Sequence, residues 1–126
     1  MSPFLLRSEV VLNRAVLIVR FKQPFVAWVN AADPAPAHTI TVADLNDDSS
    51  AFLLEVEDES DLDAWLALNG KTLFEEILND WYADPDLWPP DRSLAVFRNW
   101  CGFELHTVVI DTGSSVLEDD EDEGTP

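Results

Sequence analysis

Residues 14–30, RAVLIVRFKQPFVAWVN, decide the fold class. Val16, Leu17, Ile18 and Val19 stand in a row, and the β-branched density from Arg14 to Phe21 predicts a buried strand. Gln23 and Pro24 follow at once. Proline suits the first helical position because its fixed φ matches the helix and its missing N–H would have no partner there. Phe25, Val26, Trp28 and Val29 then read as the apolar face of a short helix. That helix stops before Pro34 and Pro36, since a residue preceding proline is pushed out of the helical region. A strand running straight into a helix opens an α+β or α/β domain, and the rest of the chain decides which.

Further along, HTITVA (38–43) alternates polar and apolar residues, and FLLEVE (52–57) is a second apolar run. Both read as strands. DLNDDSS (44–50) between them makes the pair a hairpin with a long loop, because Asp, Asn and Ser bond their own backbone in turns. Ser60 and Asp63 resemble a capping box, after which Leu62, Trp65, Leu66, Leu73, Phe74, Ile77 and Trp81 recur at helical spacing. The spacing predicts a helix from about Asp61 to Tyr82. Gly70 leaves a break open, with Thr72 and Glu75 able to cap a second helix. DPDLWPPD (84–91) is a proline-punctuated loop, Ser93 to Cys101 a further helix ended by Gly102, and Phe103 to Ile110 the last strand.

Strand, helix, strand, strand, helix, extra helix, strand is the order of a ferredoxin-like, split βαβ fold. The expected architecture is α+β, an antiparallel sheet with helices on one face and an extra helix before the last strand. Residues 1–117 form a single domain in this reading. EDDEDEGTP (118–126) has no apolar content to repay ordering and is expected to be a disordered acidic tail.

A chain of 126 residues that is 47% hydrophobic can bury a core without disulfide or metal staples. Cys101 is the only cysteine, which rules out an intrachain disulfide and suits a small buried hydrophobe in a reducing cytoplasm. Asn13, Arg14 and Arg20 interrupt any signal-peptide core. No apolar stretch approaches the roughly 20 residues of a spanning helix, so a cytoplasmic protein without a membrane segment is expected.

Charge is the most informative part of the composition. The formal net charge is −18, yet residues 1–30 carry Arg7, Arg14, Arg20 and Lys22 against Glu9 alone. Residues 31–117 hold 18 acidic groups against Lys71, Arg92 and Arg98. Direct nucleic-acid binding needs clustered Lys and Arg and is not expected here. The acidic series Asp61, Asp63, Glu75, Glu76 and Asp80, continued by Asp84, Asp86 and Asp91, suits solubility or a basic protein partner.

Chemistry-bearing patterns are sparse. Asp44-x-Asn46-x-Asp48-Ser49 with Glu55 approaches calcium-loop spacing, but Ser49 replaces the glycine that permits the bend, and strands flank it where helices are required. A polar loop is the better reading. Two histidines and one cysteine offer no zinc spacing, and no nucleophile elbow or phosphate loop occurs, so no cofactor is expected. Glu104 and His106 lie two apart on the last predicted strand and share a face, as an acid–base or metal-ligand pair would. Glu55, Glu57, Arg14 and Arg20 would join them on the open sheet face, where cross-strand ion pairing is the plainer outcome. Among the five tryptophans, Trp81, Trp88 and Trp100 bracket the proline-rich loop; they either cap the core or, at Trp88, offer a docking patch.

The segment WYADPDLWPPDRSLAVFRNWCGFELHTVVID (81–111), with RFKQPFVAWVN (20–30), resembles a group of small acidic bacterial proteins without an assigned function. Trp81, Leu87, Trp88, Pro89, Arg92, Phe97, Trp100, Glu104, His106 and Asp111 carry that resemblance, and Cys101-Gly102 departs from the bulky apolar residue expected after Trp100. It implies a bacterial cytosolic protein and no particular activity. The sequence therefore favours a non-enzymatic interaction or regulatory module for a basic partner, with Trp88, Arg92, Glu104 and His106 as candidate binding residues. The rival is a divalent-metal-dependent enzyme using carboxylates and His106 on the open sheet face. A free sheet edge or the Trp88 patch would also allow a homodimer.

Overall fold

The computed structural model describes residues 10–33 and 39–120. Its architecture is α+β, with a three-stranded antiparallel sheet, a two-stranded pair and four helices. His38 and residues 121–126 of the expected tail lie outside the described residues.

Strand β1 (Val10–Val11) leads into β2 (Ala15–Phe21), the centre of the main sheet. Alternation is clean along β2. Ala15, Leu17 and Val19 are buried under the helices, while Val16, Ile18 and Arg20 turn to the other face. Helix α1 (Gln23–Ala32) begins one residue earlier than expected, on Gln23 after the N-cap Lys22, with Pro24 second in its first turn, and sends Phe25, Val26 and Val29 into the core.

The first departure comes next. Residues 42–45 are a one-turn helix, α2 (Val42–Leu45), where HTITVA predicts a strand. Thr41 and Asp44 form a reciprocal capping box: the Asp44 N–H donates to Thr41 Oγ1 at 3.2 Å and the Thr41 N–H to Asp44 Oδ2 at 2.9 Å. The Asn30 side chain holds the preceding Ile40 by both its N–H and its carbonyl, each at 2.9 Å. No hairpin forms around residues 44–50, and the chain proceeds to β3 (Ala51–Leu54).

Helix α3 (Glu59–Trp81) runs unbroken for 23 residues. Its N-cap is Asp58, whose carboxylate accepts from the N–H groups of Ser60 and Asp61, so Ser60 is not the cap. Gly70 does not interrupt it. A Cβ at Gly70 would meet Leu94 Cδ1 at 3.2 Å, so the missing side chain serves the close approach of the next helix. A short 3₁₀ turn (Pro85–Leu87) precedes α4 (Leu94–Trp100), and β4 (Cys101–His106) follows directly, with Gly102 inside the strand. Residues 107–109 leave the ladder before β5 (Ile110–Asp111) pairs with β1.

In the sheet β2 lies between β3 and β4 and is antiparallel to both. The core gathers Leu17 and Val19 of β2, Leu66, Phe74 and Leu78 of α3, and Phe97 of α4. The Phe74 and Phe97 rings stack at 4.7 Å, and Phe25 meets Trp100 edge-on at 6.0 Å. Each such fully buried side chain contributes about 1.5–3 kcal/mol.

Candidate functional site

The sequence candidates fall into two separate groups. Glu104 and His106 lie on the face of β4 that sits beside Ile18 and Val16, away from the helices. Glu104 contacts His106 Nε2 at 2.5 Å and Arg20 at 3.6 Å, while Arg14 faces Glu55 at 3.7 Å. The hydrogen bond with His106 first, then the charge of Arg20, hold the Glu104 carboxyl below its usual range. This is the cross-strand ion pairing that the shared face predicts. Glu57 forms no salt bridge among the described residues; its N–H donates to Asp61 at 3.1 Å, at the entry to the next helix. Arg20 puts positive charge beside the one carboxylate that His106 touches, which opposes a cation there. Among the described residues no three His, Cys, Asp or Glu side chains are grouped to hold a metal ion.

The calcium-like spacing is also spent on structure. Asn46 accepts from the Phe21 N–H at 2.9 Å and donates to the Phe21 carbonyl at 3.0 Å, acting as a strand partner where β3 has not yet begun. Asp44 is part of the Thr41 cap.

Trp88 and Arg92 belong to the second group. The Trp88 indole N–H donates to the Tyr82 carbonyl at 2.7 Å, and the Arg92 guanidinium lies 5.6 Å from its ring centre. Arg92 also donates to Glu75 at 2.7 Å and to the Pro89 carbonyl at 2.9 Å. Trp28 donates to the Leu87 carbonyl at 2.8 Å and the Tyr82 hydroxyl to the Val29 carbonyl at 2.6 Å. Two of these bonds hold the proline-rich loop at Leu87 and Trp88, and the third ties Tyr82, after the end of α3, to α1. Trp88 is half-buried, with one side left to line a surface depression.

That depression is the feature sequence reasoning missed. Three adjoining clefts along α3, all lined by Phe52, make one furrow; it runs between β3 and α3 and at its Asp48 end reaches Val19 and Phe21 of β2 and Leu45 of α2. The largest, about 480 Å³, is lined also by Glu75, Glu76, Ile77, Asp80 and Trp88. At one end the furrow reaches Leu54, Trp65 and Asn69, and at the other Asp48 and Trp81. Its floor is apolar. Its rim carries Glu76, Asp80 and Asp48, which form no salt bridge among the described residues, and no Lys or Arg lines it. The available signal was the α3 stripe Trp65, Asn69, Thr72, Glu76, whose helical spacing places a polar edge along a buried face.

A further cleft of about 480 Å³ lies near Lys22, Arg98 and Cys101. Both cations there are engaged: Lys22 donates to the Arg98 carbonyl at 3.0 Å and Arg98 pairs with Asp63 at 3.0 Å. Burial pushes the Cys101 thiol up to about 12, against a smaller lowering by Lys22, so it is no nucleophile at neutral pH.

No family model matches the chain, and no curated protein or solved structure is found similar to it. No helix among the described residues is long and apolar enough to cross a membrane.

Proposed function

We infer that this protein is a non-enzymatic interaction module whose furrow between β3 and α3 receives a basic segment of a partner protein in the bacterial cytoplasm. One observation carries the reading: an apolar-floored furrow rimmed by Glu76, Asp80 and Asp48 is lined by no Lys or Arg, in a chain of net charge −18. Carboxylates around an apolar floor favour a ligand that combines ammonium or guanidinium groups with aliphatic surface, and they speed its encounter. Trp88 supplies a rigid wall of the furrow, and Arg92 keeps Glu75 and the Trp88 ring in place. The cytoplasmic setting is supported by the lone buried thiol, and the bacterial one by the resemblance over residues 81–111. A ferredoxin-like arrangement short of one edge strand is our reading of the architecture, supported by the two antiparallel neighbours of β2.

The test is calorimetric titration with a lysine-rich peptide at about 20 mM and about 300 mM salt, beside a variant carrying Glu76→Lys and Asp80→Lys. Binding that weakens with salt, as screening of exposed charges demands, and disappears in the double variant is the expected result. Equal binding by the double variant would move the partner surface elsewhere.

A further inference from the structure

We propose that the partner segment enters this furrow as an added β-strand, pairing its backbone with the outer edge of β3; the proposal rests on the docking reading above. The direction of the ladder bonds comes from two contacts on β2. The Phe21 backbone bonds Asn46 on the β3 side, whereas the Lys22 N–H donates to the Trp100 carbonyl on the β4 side at 2.9 Å. Backbone groups alternate sides along a strand, so Leu17 and Ala15 face β3 as Phe21 does. Their register partners Phe52 and Leu54 therefore use their bonds inward. Ala51 and Leu53 are left with two N–H and two C=O groups turned outward, and β3 has no outer strand neighbour among the described residues.

That edge borders the furrow. Side chains of an added strand alternate, half toward α3 and half toward the open face. The first set meets the apolar floor and the Glu76 and Asp80 carboxylates. The second meets Leu53, whose side is 52% exposed. From Trp65 to Asp80 the α3 wall extends about 22 Å at helical rise, which accommodates about seven extended residues. The chemistry selected is an extended segment with Lys or Arg alternating with aliphatic residues, read by main-chain bonds on one side and carboxylates on the other. A second copy of this chain would bring further acidic residues to the same edge, which disfavours self-pairing.

The probe is the capped heptapeptide Lys-Val-Lys-Val-Lys-Val-Lys, compared with the same peptide N-methylated at its three valines. Affinity is measured by calorimetry, and exchange of the Ala51 and Leu53 amides by NMR. Strand addition predicts slower exchange at Leu53 and Ala51 on binding, and affinity reduced about tenfold or more by N-methylation. Leu53→Pro, which removes an outward N–H at an edge position where proline is tolerated, should act likewise. Equal affinity for both peptides with no amide protection overturns strand addition while leaving the docking furrow standing. No binding of either peptide at low salt overturns both. Concentration-dependent protection of Leu53 without peptide would assign the edge to a second copy and also overturn the proposal.

Discussion

Replacing Asn46 tests the most specific local device in the fold. Its side-chain amide makes two hydrogen bonds to the backbone of Phe21, at 2.9 and 3.0 Å, and so completes the edge of β2 beyond the reach of β3. A hydrogen bond contributes about 1 kcal/mol net, and an orphaned, partly buried N–H costs about as much again. Asn46→Ala should therefore destabilise by about 2–3 kcal/mol. With a urea dependence of about 1–3 kcal/mol per molar, the unfolding midpoint should fall by about 0.7–3 M with the slope unchanged. Asn46→Asp sharpens the test, because it keeps the acceptor for the Phe21 N–H and sets a carboxylate oxygen against the Phe21 carbonyl. Only the protonated form of the new carboxyl can donate to that carbonyl. Relative to the parent, that variant should be less stable at pH 7, where the carboxylate faces the carbonyl, than at pH 4. Urea unfolding followed by tryptophan fluorescence at pH 4 and pH 7 reads both variants. If Asn46→Ala stays within about 0.5 kcal/mol of the parent, the clamp is not holding the strand end and the reasoning fails.

Acid stability should follow Asp58, Asp91 and Glu104. Hydrogen bonds from Ser60 and Asp61 lower the Asp58 carboxyl, those from Ser93 lower Asp91, and the hydrogen bond with His106, then the charge of Arg20, lower Glu104. A depressed folded pKa contributes stability that is present above the unfolded carboxylate range and is lost as pH falls through the lowered values. Urea midpoints should therefore fall as pH drops below about 4, with a shallower fall in a variant combining Asp58→Asn and Glu104→Gln; an identical profile would refute the assignment. Cys101, at about 12 and buried, should resist a disulfide-exchange reagent at pH 8 in the native protein and react fully once unfolded; rapid native labelling would show that α4 opens from β4.

Much of the scaffold is legible where one signal has no competitor. The β-branched run of β2 and Pro24 in the first turn of α1 each have one local solution, and the structure takes it; the apolar periodicity of α3 marks its buried face but leaves its continuity at Gly70 open. HTITVA fails because its alternation competes with Thr41-x-x-Asp44, a capping box, while Asn30 supplies the backbone pairing that a strand partner would have given Ile40. Gly70 is ambiguous in sequence because its cost within the helix is local, whereas its use, the approach of Leu94, is tertiary. The pairing of Glu104 with His106 and Arg20 follows from two-residue periodicity. The furrow does not, since it depends on the distance between β3 and α3 and on which edge of a strand is left unpaired.

The position of β2 also orders the events of synthesis. Its seven residues find one neighbour in β3, but the longer ladder needs β4, one of the last strands of the described chain to be made. A growing chain therefore carries the sequence AVLIVRF with one whole flank open while α3 and α4 are still being produced. Local helices form early and the sheet closes late, so the step most exposed to aggregation is the wait of β2 for Cys101–His106.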